Sequence, residues 1–276
     1  MNQRAIKAQL AKALGHLDPR ELENLIDYYL DAYQQKILAG ELSQVQLTED
    51  IIALKKEVPV QYVTGISFFY GHRFFVEPGC LIPRPETEEL VHWVIEENKA
   101  KASFKILDIG IGSGCILLSI MSAMSKFMEV EGWGIDVSEA ALRVVKKNTK
   151  KMKLEARTIL ADIDQDNEWP NQLDCIVSNP PYILDSEKSR MDISVLTYEP
   201  EEALFVPDSD PLHYYKRIMH LGLSLLKPNG VIYFETSDLY HSELESAIDK
   251  EQYSATFKKD INGKWRMLKL TKLQLS

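Results

Sequence analysis

Lys105-Ile106-Leu107-Asp108-Ile109-Gly110-Ile111-Gly112-Ser113-Gly114-Cys115 is the stretch whose reading decides the fold. An apolar run of strand length ends in glycines at alternate positions. A run of helical character, Cys115 to Lys126, follows at once. A strand that enters a helix through such a turn lets a ligand lie against the backbone, where a side chain would clash. Alone, the turn equally fits a dinucleotide enzyme or a purely structural bend, so its surroundings must choose.

Outward from this point strands and helices alternate. Strands are expected at Lys105–Ile109, Gly132–Asp136, Arg157–Ala161, Asp174–Ser178 and Gly230–Glu235, with two more near Tyr253–Lys258 and Trp265–Thr271. Helices are expected at Cys115–Lys126, Ser138–Lys151, Pro211–Leu226 and about Ser242–Lys250. This alternation implies a mostly parallel sheet covered on both faces. The last two strands, joined through Asn262-Gly263, read as an antiparallel hairpin. With the common strand order 3-2-1-4-5, the first and fourth strands are neighbours, and their carboxyl ends flank the switch point where ligands bind. The segment after the fourth strand, Asn179-Pro180-Pro181-Tyr182, then stands beside the glycine turn.

Residues 1 to about 58 read as a bundle of short amphipathic helices, with Ile6, Leu10, Leu14, Leu22, Leu25, Ile26, Tyr29, Leu30 and Tyr33 at helical spacing. Asp18 can cap the second helix, Pro19 suits its first position and Glu21 sits at the capping-box position. Gly40 is expected to end that helix, and Thr48 to begin a third running through Lys56. From Pro59 to about Ile82 the text turns aromatic, β-branched and glycine-punctuated, which reads as a hairpin linking the bundle to the sheet. Its aromatic set, Phe68, Phe69, Tyr70, Phe74 and Phe75, reads as a small core, with a binding platform as the other possibility. Leu81-Ile82-Pro83-Arg84-Pro85-Glu86 leads into a helix ending near Glu97.

The 276 residues include 41 acidic and 32 basic side chains, a formal net charge of −9. Such a chain gains nothing from counterion release, so bare nucleic acid is disfavoured as a substrate, and a protein, or a protein bound to RNA, fits better. Cys80, Cys115 and Cys175 are widely spaced without a CxxC pair, and read as small buried apolar groups rather than a zinc site. His72, His92, His213, His220 and His241 show no ligand spacing, so no metal is expected. The N-terminus lacks an apolar signal core and no run reaches spanning length. A soluble, cytoplasmic chain without a membrane partner is expected, and nothing demands more than a monomer.

The residue types around the two motifs suggest chemistry. Gly110, Ile111, Gly112, Ser113 and Gly114 offer backbone to a nucleotide-like cofactor. Asp136, closing the second strand about twenty residues on, can accept from both hydroxyls of a ribose, or can serve the following helix as a cap. Asp162 can accept from the exocyclic amine of an adenine with Ile163 packed on the ring, or can be a simple turn residue. On the other side, the Asn179 side-chain oxygen and the Pro180 carbonyl can each accept one N–H of a planar NH₂ group. That holds a weakly nucleophilic nitrogen for in-line approach to a methyl group and stabilises the positive charge growing on it. Pro180 and Pro181 lock φ and offer no donor, so the loop presents carbonyls rigidly. Tyr182 provides a flat face for the amide or base. Together the motifs suggest methyl transfer from S-adenosyl-L-methionine to a planar nitrogen.

These residues resemble the bacterial peptide chain release factor N5-glutamine methyltransferases. The likeness extends to Pro59-Val60-Gln61-Tyr62-Val63-Thr64-Gly65, Phe69-Tyr70-Gly71, Leu81-Ile82-Pro83-Arg84-Pro85-Glu86-Thr87-Glu88 and Tyr198-Glu199-Pro200 with Ala203-Leu204, and spans roughly residues 55 to 275. It implies an α/β, Rossmann-like class I methyltransferase fold with a seven-stranded sheet, preceded by a helical bundle and a linking β-hairpin. The expected units are residues 1–58 for contact with the release factor, 59–84 for the linker and 85–276 for catalysis. It implies that the substrate is the glutamine of a Gly-Gly-Gln motif in class 1 release factors, held by Asn179–Tyr182, with Asn179 and Pro180 catalytic. The cofactor S-adenosyl-L-methionine would be held by Gly110–Gly114, Asp136, Asp162, Ile163 and Asn179. Ile111 stands where the family often has threonine. Arg84 and Glu86 could close over the cofactor or fix the linker, and the role of Glu235 is open. The competing readings are an adenine-N6 methyltransferase on nucleic acid, which would need a basic base-reading region, and a glutamine methyltransferase acting on another protein such as a ribosomal protein.

Overall fold

A computed structural model describes residues 1–165 and 167–274. The chain begins with helices α1 (Gln3–Ala13), α2 (Pro19–Ala32), α3 (Gln34–Leu38), α4 (Gln44–Lys55) and α5 (Val60–Thr64). Asp18 accepts from the Arg20 and Glu21 amides and so caps α2. The bundle buries its own core of Ile6, Leu10, Leu14, Ile26, Tyr29, Leu30 and Leu47.

Three details differ from the sequence expectation. The second helix breaks at Tyr33 rather than running to Gly40. The next helix starts at Gln44, because the Ser43 hydroxyl accepts from the Gln46 amide and caps it one turn earlier, while the Thr48 hydroxyl donates to the Gln44 carbonyl inside the helix. Val60–Thr64, read as hairpin, is a short helix. Pro59 sets its start and Gly65, at φ +69°, ends it, so local stop and start signals outweigh a weak β preference.

The hairpin itself is β1 (Ile66–Phe69) paired antiparallel with β2 (His72–Phe75). Its alternating faces serve two neighbours. Phe69 and Phe74 are buried in the core beneath the large sheet that follows. Phe68, on the other face, packs edge-on against Tyr28 of the bundle at 5.2 Å, and Arg73 donates to the Asp31 and Ala32 carbonyls at the end of α2. The aromatic set is thus a two-sided packing layer.

The α/β unit continues with α6 (Thr87–Asn98), β3 (Ser103–Ile109), α7 (Cys115–Met124), β4 (Glu129–Asp136), α8 (Glu139–Met152), β5 (Ala156–Leu160) and β6 (Leu173–Ser178). Then come β7 (Ile183–Leu184), α9 (Ile193–Tyr198), β8 (Phe205–Val206), α10 (His213–Leu225), β9 (Leu226–Glu235), α11 (His241–Ala247), β10 (Tyr253–Lys259) and β11 (Trp265–Lys272). The seven-stranded sheet has the order β5-β4-β3-β6-β9-β11-β10. β11 pairs antiparallel with both neighbours and the other ladders are parallel. The two-stranded parallel ladder β7–β8 in the segment after Tyr182 was not foreseen. Both sheet faces are covered, which is why β3 and β6 read as near-continuous apolar runs. β3 and β6 are direct neighbours, with Ile109 opposite Ser178 and the Ser178 hydroxyl donating to the Ile109 carbonyl at 2.7 Å.

Candidate active site

The carboxyl edge of β3, β4 and β6 opens into a cavity of about 450 Å³. Its walls include Gly110, Ile111, Gly112 and Ser113 from the glycine turn, Asp136, the 161–164 segment, and Asn179, Pro180 and Pro181. Gly79, Cys80, Leu81, Pro83 and Arg84 of the linker, Thr87, and Pro200, Glu202 and Ala203 also line it.

The turn is held open by backbone geometry. Gly110, Gly112 and Gly114 have φ of +75°, +53° and +81°, values that L side chains rarely adopt. A Cβ on Gly110 would meet nothing within 4 Å, so that position faces open space. The Gly110 and Ile111 amides both donate to the Ile135 carbonyl at 2.9 Å. Ile111 turns into the core beneath, where a Cβ on Gly134 would come within 2.0 Å of its Cδ1. The side chain at this position packs against β4 while also lining the cavity.

Asp136 locks the turn. Its Oδ2 accepts from the Gly112 amide and its Oδ1 from the Ser138 amide, both at 2.9 Å. The cap of α8 is Ser138, whose hydroxyl accepts from Ala141. Burial raises the Asp136 carboxyl above the ordinary aspartate range, against the Gly112, Ser138 and Val137 amides that hold it down. Beneath the turn Asp108 is fully buried. Its Oδ2 accepts from the Leu117 amide at 3.2 Å, and its Oδ1 has no partner among the described residues. Burial pushes this carboxyl up to about 8.

Asp162 lines the cavity, but its Oδ1 also accepts from the Asp164 amide at 2.9 Å, closing an Asx turn. Ile163 is buried, and its carbonyl accepts from Arg217 Nε at 2.6 Å. On the opposite wall Asn179 Nδ2 donates to the Thr87 hydroxyl at 3.3 Å. The half-buried Tyr182 donates its hydroxyl to Glu235 Oε1 at 3.2 Å. Burial, followed by the Glu235 charge, pushes this phenol well above its ordinary range and keeps it a donor.

The linker is tied down as firmly. Arg84 Nη2 meets Glu199 Oε1 at 2.7 Å, and the Ile82 amide donates to Glu199 Oε2 at 3.2 Å. Arg84 thus fixes the linker while lining the cavity, whereas Glu86 is exposed at the start of α6. The Tyr198 hydroxyl donates to the Lys56 carbonyl in the bundle.

With this geometry stand the similarities to known proteins. A methyltransferase small domain family model matches residues 89–203. The release factor glutamine methyltransferase of Bacteroides thetaiotaomicron is 42% identical over 242 residues, covering 87% of this chain and 85% of that protein. The chain belongs to the release factor glutamine methyltransferase family. The relative of the same name from Flavobacterium psychrophilum is 37% identical over 279 residues, 96% of this chain and 97% of that one. Among solved structures, the T. thermophilus 16S rRNA N2 G1207 methyltransferase, in complex with AdoMet and guanosine, superposes with a TM-score of 0.53 at 17% identity. It covers 75% of this chain and 49% of its own, and shows the shared class I methyltransferase fold.

Within this family member, the sequence reading named Thr87, Glu199 and Glu235 without assigning their contacts, and missed Asn148 altogether. Thr87, Glu199 and Glu235 lie far apart in sequence, so nothing in their spacing foretold that Thr87 would meet Glu235 or Glu199 meet Arg84. Asn148 is buried on α8, where it reads as one more polar helix residue. Its side chain accepts from the Phe75 amide at 2.7 Å and donates to the Phe75 and Ser113 carbonyls at 3.0 and 2.9 Å. It thereby ties the hairpin to the glycine turn. Only a polar residue inside the apolar stripe of α8 could have signalled it.

Proposed function

We propose that this chain transfers a methyl group from S-adenosyl-L-methionine to the side-chain amide nitrogen of the Gly-Gly-Gln glutamine in class 1 peptide chain release factors. The observation that carries this reading is the placing of Asn179 and Pro180 on the wall of the cavity that the glycine turn opens. Membership of the family supports the substrate. The four acids Glu21, Glu23, Asp27 and Asp31 are all exposed on the bundle, which favours a protein surface over a nucleic-acid backbone. Among the described residues no helix is long and apolar enough to cross a membrane.

The residues present fit the cofactor. Gly110–Ser113 line the cavity while Gly114 sits behind it against Leu118 and Val145. Asp136 would offer ribose hydroxyls the lone pairs left beyond its two amide bonds, and Asp162 and Ile163, on the cavity wall, would meet an adenine edge and face. The buried Oδ1 of Asp108, without a partner among the described residues, lies under the same turn. When bound, S-adenosyl-L-methionine supplies a methyl group already activated for displacement. The chain's own part is positional. The Asn179 side-chain oxygen and the Pro180 carbonyl accept the two N–H groups of the glutamine amide, aim its nitrogen and stabilise the charge that develops there. Because the bound cofactor would bring its own leaving group at sulfur, the amide nitrogen would need no base to act first, and its surplus proton would leave afterwards to solvent. Tyr182, expected as a flat face for the amide, does not line the cavity; it packs against the core and anchors the loop through its hydroxyl on Glu235.

The test is mass spectrometry of an unmethylated release factor incubated with this protein and S-adenosyl-L-methionine. One added methyl, located by fragmentation to the Gly-Gly-Gln glutamine and missing with Asn179→Ala, is expected. Transfer to an adenine-containing oligonucleotide instead would overturn the proposal.

A further inference from the structure

Behind Asn179 lies a buried carboxylate that the transfer step does not touch. Glu235, at the end of β9, is 2% exposed. Its Oε2 accepts from the Thr87 hydroxyl at 2.6 Å, and its Oε1 from the Tyr182 hydroxyl at 3.2 Å. Thr87, itself buried at the first position of α6, also receives Asn179 Nδ2 at 3.3 Å. Three separate elements, α6, β9 and the loop after β6, thus meet in one hydrogen-bond chain that ends on Asn179.

The direction of that chain follows from counting protons. A hydroxyl has one proton to give and lone pairs with which to accept. The short bond to a carboxylate, which can only accept, takes the Thr87 proton. What Thr87 presents to Asn179 is then a lone pair, which attracts Nδ2 and repels Oδ1. An asparagine amide is nearly symmetric in shape, and its orientation is set by its partners. With Nδ2 engaged by Thr87, Oδ1 is left to face the cavity. The flipped amide would offer an N–H to the substrate's own N–H, turning an attraction into a repulsion. Burial raises the Glu235 carboxyl above the ordinary glutamate range, while Thr87, the Arg266 guanidinium and Tyr182 pull it back toward the charged form and Glu86 opposes them.

We infer that Thr87 and Glu235 are positioning residues that set the polarity of the Asn179 amide, so that its oxygen rather than its nitrogen meets the substrate. The inference rests on Asn179 being the acceptor for the glutamine N–H. It also gives the segment Arg84-Pro85-Glu86-Thr87-Glu88 a concrete task. Arg84 anchors it to Glu199, Glu88 Oε1 accepts from the Tyr70 amide at 2.8 Å, and Thr87 is thereby held against Glu235 and Asn179.

The experiment uses the full chain, a release factor and S-adenosyl-L-methionine, and reads kcat, KM for the release factor and cofactor Kd. Thr87→Val, which keeps shape and loses the hydroxyl, should lower kcat by about 10–100-fold, as loss of an orienting partner commonly does. KM and cofactor Kd should stay within about threefold, and Thr87→Ser should restore most of kcat. In an Asn179→Ala background, Thr87→Val should cost nothing further, because there is no amide left to orient. If Thr87→Val unfolds, Thr87→Ala serves the same cycle. The same loss with and without Asn179, or a Thr87→Val enzyme within twofold of the parent while Asn179→Ala is crippled, would overturn the positioning role alone. Wild-type turnover in Asn179→Ala would overturn both this role and the reading of Asn179 on which it rests.

Discussion

Replacing Asp136 by asparagine should weaken cofactor binding far more than it slows chemistry. The geometry sets the size of the effect. Both carboxylate oxygens already accept a backbone N–H, from Gly112 and from Ser138, each at 2.9 Å. In Asp136→Asn the amide nitrogen must therefore face one of these donors whichever way it turns. One hydrogen bond to a charged acceptor is lost, at a cost of about 1.5–3 kcal/mol to the ordered turn. A ribose diol brings two further O–H donors, and the amide can match the carboxylate for only one of them. A second loss of about 1.5–3 kcal/mol then falls on binding, equivalent to roughly 10–150-fold in Kd. Isothermal titration with S-adenosyl-L-homocysteine measures this directly, and turnover at saturating cofactor should stay within about threefold of the parent. Unchanged affinity together with a large loss of turnover at saturation would refute the ribose role and leave Asp136 a purely structural lock.

Three other outcomes are expected. Asn179→Ala should cut kcat by about 10²–10³-fold, the usual loss when one preorganised partner of the developing charge is removed, with a smaller change in cofactor Kd; near-normal single-turnover rates would contradict it. Asp108, at about 8 when folded against about 3.8 free, keeps its proton in the native state while the unfolded chain releases it. Its contribution to stability is full below the free value and is lost as pH rises through the folded one, at about 1.4 kcal/mol per pH unit between them. Asp108→Asn should flatten the fall of Tm between pH 5 and pH 8, and an unaltered slope in thermal melts would count against a buried protonated carboxyl. Gly134→Ala should lower stability by about 1–3 kcal/mol, since its Cβ would stand 2.0 Å from Ile111 Cδ1. Urea melts should show part of that loss recovered when Ile111→Ala is added, and no recovery would mean the clash lies elsewhere.

The sequence by itself determined the class of the fold and the meeting of its two motifs at one edge of the sheet. Hydrophobic periods are local, so β3 through β6 could be read from runs such as Lys105–Ile109 and Asp174–Ser178, and the strand order 3-2-1-4-5 assumed from convention is the order found. Glycines that need a positive φ and prolines that lock φ also announce themselves locally, which made Gly110–Gly114 and Asn179–Tyr182 legible. Local text misled where two signals competed: Val60–Thr64 carries strand-like residues but is flanked by Pro59 and Gly65, and the earlier Ser43 displaces Thr48 as a cap. What only the tertiary structure decided is the set of partners. Thr87 meets Glu235 and Asn179, Arg84 meets Glu199, and Asn148 joins Phe75 to Ser113, each across elements distant along the chain. A hydrogen bond is set by distance and angle within a few tenths of an ångström. Periodicity cannot specify that, because it is the packing of α6, α8 and β9 against the sheet that brings these polar groups within reach.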